Sequence, residues 1–485
     1  MKGLKKNNNS AKSEYKKYQG ARISHWDKVA EKRNILNLSA YYHKRLQTVM
    51  QFIVPPRQKV LEIGCGRGDL LASLQPSYGL GVDFSSKMLS QAKTSYPNLQ
   101  FIEADAHELN INTEFDFVIL SDLLNDLWDV QTVLQRITSF TSPRSRIIIN
   151  SYSRLWELPL SIARKLRLGK PNLYQNWLTL EDIAGLLSLA NFEIVRHWEE
   201  IIWPVRTPVI DYLFNRFVVK LWPFQWLALS HTIVAKPGAA NLHTQDTPKV
   251  SVVIPARNES GNIEQIFERV PEMGAGTELI FVEGNSTDDT FGTIQKAIED
   301  NPQKLAKLFR QKGQGKGDAV RLGFKQAAGD ILMILDADLT VPPEDLPRFY
   351  DVIAQGKAEF LNAVRLVYPM EKEAMRFLNF FGNKFFSLVF SWLLGQPIKD
   401  TLCGTKVLWK KDYERIAANR SYFGDFDPFG DFDLLFGAAK LNLKIVEVPI
   451  RYRERTYGKT NISRWSHGWL LLKMVFFALR RIKFV

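Results

Sequence analysis

The chain has 485 residues, 45% of them hydrophobic and 24% charged, with a formal net charge of +13. That size and balance fit a globular protein of two or three domains. The two cysteines, Cys65 and Cys403, stand far apart, which excludes a disulfide framework and fits a reducing compartment.

Residues 1–21 are rich in Lys, Asn and Ser and lack the apolar stretch of a signal peptide. They are expected to form a disordered basic tail. Residues 22–58 carry patches of helical pattern. The run Lys59-Val60-Leu61-Glu62-Ile63-Gly64-Cys65-Gly66-Arg67-Gly68-Asp69-Leu70 then reads as strand, glycine turn and helix. Glycines there let backbone approach a ligand closely, and the helix start supplies free N–H groups. Such a turn also occurs in dinucleotide-binding proteins, so the downstream acids decide. A second strand ends at Asp83, placed to bind ribose hydroxyls. A third ends before Asp105, near where an adenine amine would lie. Further strands are predicted at 115–120, 146–150, 192–197 and 231–235.

Over residues 22–237 this arrangement resembles the class I S-adenosylmethionine-dependent methyltransferases. The resemblance implies that Glu62, Gly64, Gly66, Asp83 and Asp105 line the S-adenosylmethionine site. It does not name the methyl acceptor, which stays unknown. Within 201–229, Trp203, Phe214, Phe217, Trp222, Phe224 and Trp226 are interrupted by Pro204, Pro208 and Pro223. The prolines forbid one long helix. Core packing is the favoured reading there, ahead of a cap on the acceptor pocket or contact with lipid headgroups.

Residues 238–248 are small and polar and read as a linker. A new sheet begins at Val250 and runs into Pro255, Asn258 and Glu259. The next strand ends at Glu283, and a turn-rich stretch around Gly313-Gln314-Gly315-Lys316-Gly317 reads as a helix start. The aliphatic run 331–335 then ends in Asp336-Ala337-Asp338. Two carboxylates on one side of a strand end suit Mg²⁺ or Mn²⁺ held against a diphosphate.

Residues 249–463 resemble a family 2 glycosyltransferase with a GT-A fold, of the dolichyl-phosphate mannose synthase-like branch. The resemblance implies that Pro255, Asn258 and Glu259 lie beside the donor nucleotide and that Glu283 holds the base. It implies that Asp336 and Asp338 bind the metal and that Arg365 stands near the transferring phosphate. Residues 400–406 resemble the acceptor loop, and Arg455 opens a late motif that reaches Lys459 and Asn461. Glu283-Gly284, Thr340 and Asn461 depart from the residues usual in that branch.

The fold expected is therefore α/β in two domains, a Rossmann-like methyltransferase sheet followed by a GT-A fold. The function expected is a bifunctional enzyme. It would use S-adenosylmethionine, Mg²⁺ or Mn²⁺, a nucleotide-sugar donor and a polyprenyl-phosphate or related lipid acceptor. Helices at 376–394 and 469–481, too short for a conventional span, are expected to lie in the membrane interface, with Lys473, Arg480 and Arg481 on one side. The last is assigned to a segment 464–485. The net positive charge is read as membrane affinity, since no nucleic-acid module is present. The protein is expected on the cytoplasmic face as a peripheral component. Two other readings stay open. Sugar could pass to a hydroxyl of a glycan or lipid, with Asp425, Asp427, Asp431 or Asp433 as base. Or one domain could serve only as a ligand-sensing or docking module.

Overall fold

A computed structural model describes all residues except 1, 32–37, 166–172, 240–246, 366, 368–376, 424–429, 454, 456 and 458–463. The predicted linker therefore lies largely outside the described residues, as do Asp425, Asp427, Lys459 and Asn461. Asp431 is described by its backbone alone. The chain divides into two compact units, Met1–Asn241 with Phe484–Val485, and Leu242–Lys483.

The first unit is built on seven strands: β1 (Lys59–Ile63), β2 (Tyr78–Asp83), β3 (Gln100–Glu103), β4 (Phe115–Ser121), β5 (Thr141–Tyr152), β6 (Phe192–Glu200) and β7 (Ser230–Pro237). Their order is β3-β2-β1-β4-β5-β7-β6, parallel except that β7 runs antiparallel to both β5 and β6. The central strands are almost continuous apolar runs because helices cover both faces. Consecutive strands on either side of β1 leave a switch point between β1 and β4, where such sheets bind ligands.

The second unit has its own seven strands: β8 (Val250–Ala256), β9 (Thr277–Glu283), β10 (Leu305–Arg310), β11 (Ile331–Ile334), β12 (Phe360–Val364), β13 (Lys406–Trp409) and β14 (Ile445–Pro449). Their order is β10-β9-β8-β11-β13-β12-β14, with β13 antiparallel to β11 and β12. The switch point here lies between β8 and β11. Two apolar layers flank the sheet.

The architecture agrees with the expected α/β fold, and two local readings change. The tail read as disordered is the first part of a helix, Lys2–Glu31. Its polar composition hid a stripe at helical spacing: Tyr15, Tyr18, Arg22 and Trp26 all reach partners in the sheet's loops. The segment 201–229 does not form core as a whole. Trp203, Phe214, Trp222, Phe224 and Trp226 lie on the surface, because short turns separated by prolines leave no second face to bury them. The helix Arg464–Ala478 buries Leu471, Met474 and Ala478 in the second unit while exposing Trp469, Lys473 and Phe476, and Arg480 in the next turn, Leu479–Lys483, is exposed too. Among the described residues no helix is long and apolar enough to cross a membrane.

Candidate active sites

In the first unit the loops after β1, β2, β3 and β4 enclose a cavity of about 860 Å³. That volume matches sites for cofactor-sized molecules. Gly66 adopts a φ of +52°, and a Cβ built there would meet no atom, so the loop leaves open space where a ligand would lie. Its N–H donates to Asp83 Oδ2 at 2.9 Å, and the Ser85 N–H donates to Oδ1 at 2.9 Å. Burial raises the Asp83 carboxyl above its ordinary range against these two bonds. Glu62 also borders the cavity, but its Oε2 is held by the Leu71 N–H at 3.0 Å. Burial pushes it up to about 8. Its visible work is to tie the short helix Asp69–Ser73 to β1.

Asp105 is the most heavily bonded acid of the cavity. It accepts from the Tyr15 hydroxyl at 2.6 Å, from Gln19 at 2.6 Å and from the His107 N–H at 2.9 Å. Burial would raise it, but the bonds from His107 and Tyr15 outweigh that and hold it below the usual carboxylate range. The N-terminal helix thus supplies part of the wall, which the sequence reading missed. A second missed residue is Asp122, at the end of β4 with φ +53°. It takes hydrogen bonds from Tyr42 and Asn150, each 2.6 Å long, and burial pushes it up to about 6. It follows the strand predicted at 115–120 by two residues, but its partners come from residues 42 and 150, far away in sequence.

In the second unit the acids after β8 and β11 meet. Asp338 Oδ1 accepts from the Thr340 N–H and hydroxyl, and Oδ2 from Arg455 Nη2 at 2.7 Å. The same Arg455 nitrogen lies 3.4 Å from Glu259. Burial raises Asp338, but Arg455 and Thr340 outweigh it, and the net shift is downward. Glu259 shows the opposite balance: burial pushes it up to about 7 despite Arg455. Asp336 carries its own cation, Lys316 Nζ at 2.5 Å. Lys316 opens the helix Lys316–Gln326 and was read only as a helix start. Gly404 passes so close that a Cβ on it would collide with both Lys316 Nζ and Asp336.

Asn258, with φ +58°, accepts the Thr287 N–H at 2.7 Å and fixes the loop after β9. Pro255 sits in β8 opposite Val282. Glu283 is buried at the end of β9, accepts the Ser286 N–H at 2.5 Å and pairs with Arg310 at 3.3 Å. Arg365, expected near the transferring phosphate, is held by Asp400. Both arms of its fork go to Asp400, at 2.7 and 2.8 Å, and its own N–H does too at 3.1 Å. It therefore anchors the loop that carries Gly404 to Asp336. Asp433 is paired with Arg420 at 2.8 Å.

Among the described residues no three His, Cys, Asp or Glu side chains converge as a metal site. Asp336 and Asp338 are hard oxygen donors, and they fit a divalent cation whose remaining ligands come from a diphosphate.

Residues 56–200 match the family model for a methyltransferase domain, and residues 251–416 match that for glycosyl transferase family 2. The chain carries a methyltransferase domain followed by a family 2 glycosyltransferase domain. The second domain is similar to the dolichol-phosphate mannosyltransferase of Pyrococcus furiosus, 31% identical over 220 residues, which are 44% of this chain and 59% of that protein. It is also similar to the undecaprenyl-phosphate 4-deoxy-4-formamido-L-arabinose transferase of Pectobacterium carotovorum, 35% identical over 115 residues, 23% of this chain and 35% of that protein. The chain thus spans 59% or less of the length of these two curated relatives. A solved glucosyl-3-phosphoglycerate synthase from Mycobacterium tuberculosis, with Mn²⁺ and uridine diphosphate, aligns with 48% of this chain and 80% of its own at 19% identity and a TM-score of 0.36.

Proposed function

We propose that the chain is a bifunctional transferase. The first domain would move a methyl group from S-adenosylmethionine, and the second would move a sugar, with inversion, from a nucleotide diphosphate to a polyprenyl phosphate. The observation that carries this is the paired-cation arrangement of Asp336–Lys316 and Asp338–Arg455 at the β8/β11 switch point. Two acids already screened by two cations are poised to exchange partners when a diphosphate arrives. Lys316 and Arg455 would then turn toward phosphate oxygens and leave the acids to hold Mg²⁺ or Mn²⁺. The bound ion would act as a Lewis acid on the departing diphosphate. Pro255, Asn258, Glu259 and Glu283 would frame the nucleotide, and Arg365 would act through the loop it anchors.

A phosphate acceptor is already ionised and needs no base. Of the candidate bases for a hydroxyl acceptor, Asp433 is engaged by Arg420. The two curated relatives, named for transfer to dolichol phosphate and undecaprenyl phosphate, support a phosphate acceptor. In the first domain, Gly66 and Asp83 would receive the ribose of S-adenosylmethionine, with Asp105 at the adenine end of the cavity. Methyl transfer from a sulfonium needs chiefly alignment of the acceptor.

The test is mass spectrometry of products formed from a panel of nucleotide sugars, a short-chain polyprenyl phosphate, a set of water-soluble hydroxyl acceptors, Mn²⁺ and methyl-labelled S-adenosylmethionine. A glycosylated lipid phosphate is expected. Transfer only to water-soluble hydroxyl compounds would replace this reading of the second domain.

A further inference from the structure

The methyltransferase unit carries a broad apolar surface that its own core does not use. On the helix Glu157–Lys165, Leu158 is 74% exposed, and on the segment 201–229 Trp222 and Trp226 are 71% and 60% exposed. The two pieces form one face, since the Trp156 indole N–H donates to the Leu227 carbonyl at 3.0 Å. Leu155, Val209 and Leu213, in or next to these two pieces, are exposed as well.

The exposed charge of these two pieces is mainly positive, with the exposed Asp182 near Arg154. Asp211 is the sole acid of 201–229 and is buried, while Arg206 is exposed. Beside the helix, Arg154 and Lys165 are exposed and Glu157 is half-buried. Exposed tryptophans beside the exposed cations Arg154, Lys165 and Arg206 match the interface of an anionic bilayer, where indole rings settle at headgroup depth. The same face borders the cavity. Leu160 and Pro204 line it, and both lie within the pieces that form the apolar surface.

We propose that this face of the first unit lies in the surface of an anionic bilayer and that the methyl acceptor is an amphiphile presented from that bilayer to the cavity. The acceptor half of this proposal rests on the methyltransferase reading. The surface half does not.

The experiment uses the full chain. Cys65 and Cys403 are buried, so a cysteine introduced on the surface can be labelled selectively. Leu158→Cys and Trp226→Cys would carry an environment-sensitive fluorophore, with Thr94→Cys, exposed on the helix Ser86–Ser95, as control. Vesicles of phosphatidylcholine and phosphatidylglycerol in equal parts are added, with nitroxide-bearing lipids as quenchers. Both labels on the face should shift to the blue and be quenched, and the control should not. Arg154→Gln and Arg206→Gln should each weaken vesicle partitioning about fivefold. No quenching at either face position overturns the proposal, even if the protein binds vesicles elsewhere. A blue shift that follows protein concentration without vesicles also overturns it, in favour of a second copy on this face. S-adenosylmethionine binding is measured by calorimetry on the same samples. Binding without lipid quenching removes the surface and keeps the methyltransferase reading. Quenching without S-adenosylmethionine binding keeps the surface and removes the amphiphilic acceptor.

Discussion

The two sites hold the acids at their strand ends in different ways. In the first unit Asp83 and Asp122 are bound by backbone N–H groups, a tyrosine hydroxyl and an amide, Asp105 by Tyr15, Gln19 and His107, and the cation Arg22 goes instead to Asp126. In the second, Asp336 and Asp338 each face a full cation. Neutral donors suit a site that receives hydroxyls and amines, since no charge has to be displaced. Cations suit a site where negative charge arrives, develops on a leaving group and departs. The contrast also predicts different responses to substitution and to pH.

The largest expected effect is in the second unit. Asp338→Asn would remove one of the two acids proposed to hold the metal and would leave Arg455 to Glu259. Glycosyl transfer should fall by about a thousandfold, measured as product lipid per unit time, with S-adenosylmethionine binding unchanged. Equal loss at both sites would erase the contrast. Lys316→Ala is next. If Lys316 moves from Asp336 to phosphate, losing this charged contact should cost about 1.5–3 kcal/mol in donor binding. Titration with a nucleotide sugar and Mn²⁺ reads it directly. Unchanged affinity would mean that Lys316 only balances Asp336.

In the first unit, Asp83→Ala should cost about 1.5–3 kcal/mol of S-adenosylmethionine affinity by calorimetry, and nucleotide-sugar binding should not change. The smallest effect sharpens the pH side of the comparison. Glu62 is pushed up to about 8 by burial, so the folded state holds its proton where the unfolded chain has lost it. The stability it confers is therefore complete below the ordinary carboxyl range and drains away as pH rises toward 8. The slope is at most about 1.4 kcal/mol per pH unit. Glu62→Gln, which keeps an acceptor for the Leu71 N–H, should flatten thermal unfolding of the first unit between pH 5 and 8. An unchanged pH profile would show that Glu62 is not the group responsible.

The strand ends that carry acids were legible in the sequence because apolar runs stop abruptly at Asp83, Asp105 and Asp336. Other parts were not legible. β13 is four residues long and begins with Lys406, whose buried ammonium is held by the Cys403 carbonyl at 2.6 Å and by Asn362 at 3.2 Å. A lysine at a core position hides a strand from any reading of hydrophobic pattern. Lys316 looked like punctuation before a helix, and only the fold brings it to Asp336. The polar N-terminal helix read as disorder because composition outweighed the spacing of a few aromatic residues. Arg365 has a partner, Asp400, whose position no local pattern reveals.

The central claim is that one chain carries two chemically distinct donor sites. Calorimetry on the full-length Asp338→Asn protein tests it most directly, with S-adenosylmethionine in one titration and a nucleotide sugar with Mn²⁺ in the other. The account predicts S-adenosylmethionine binding equal to the parent protein and metal-dependent nucleotide-sugar binding lost. Loss of both, or retention of both, would contradict it.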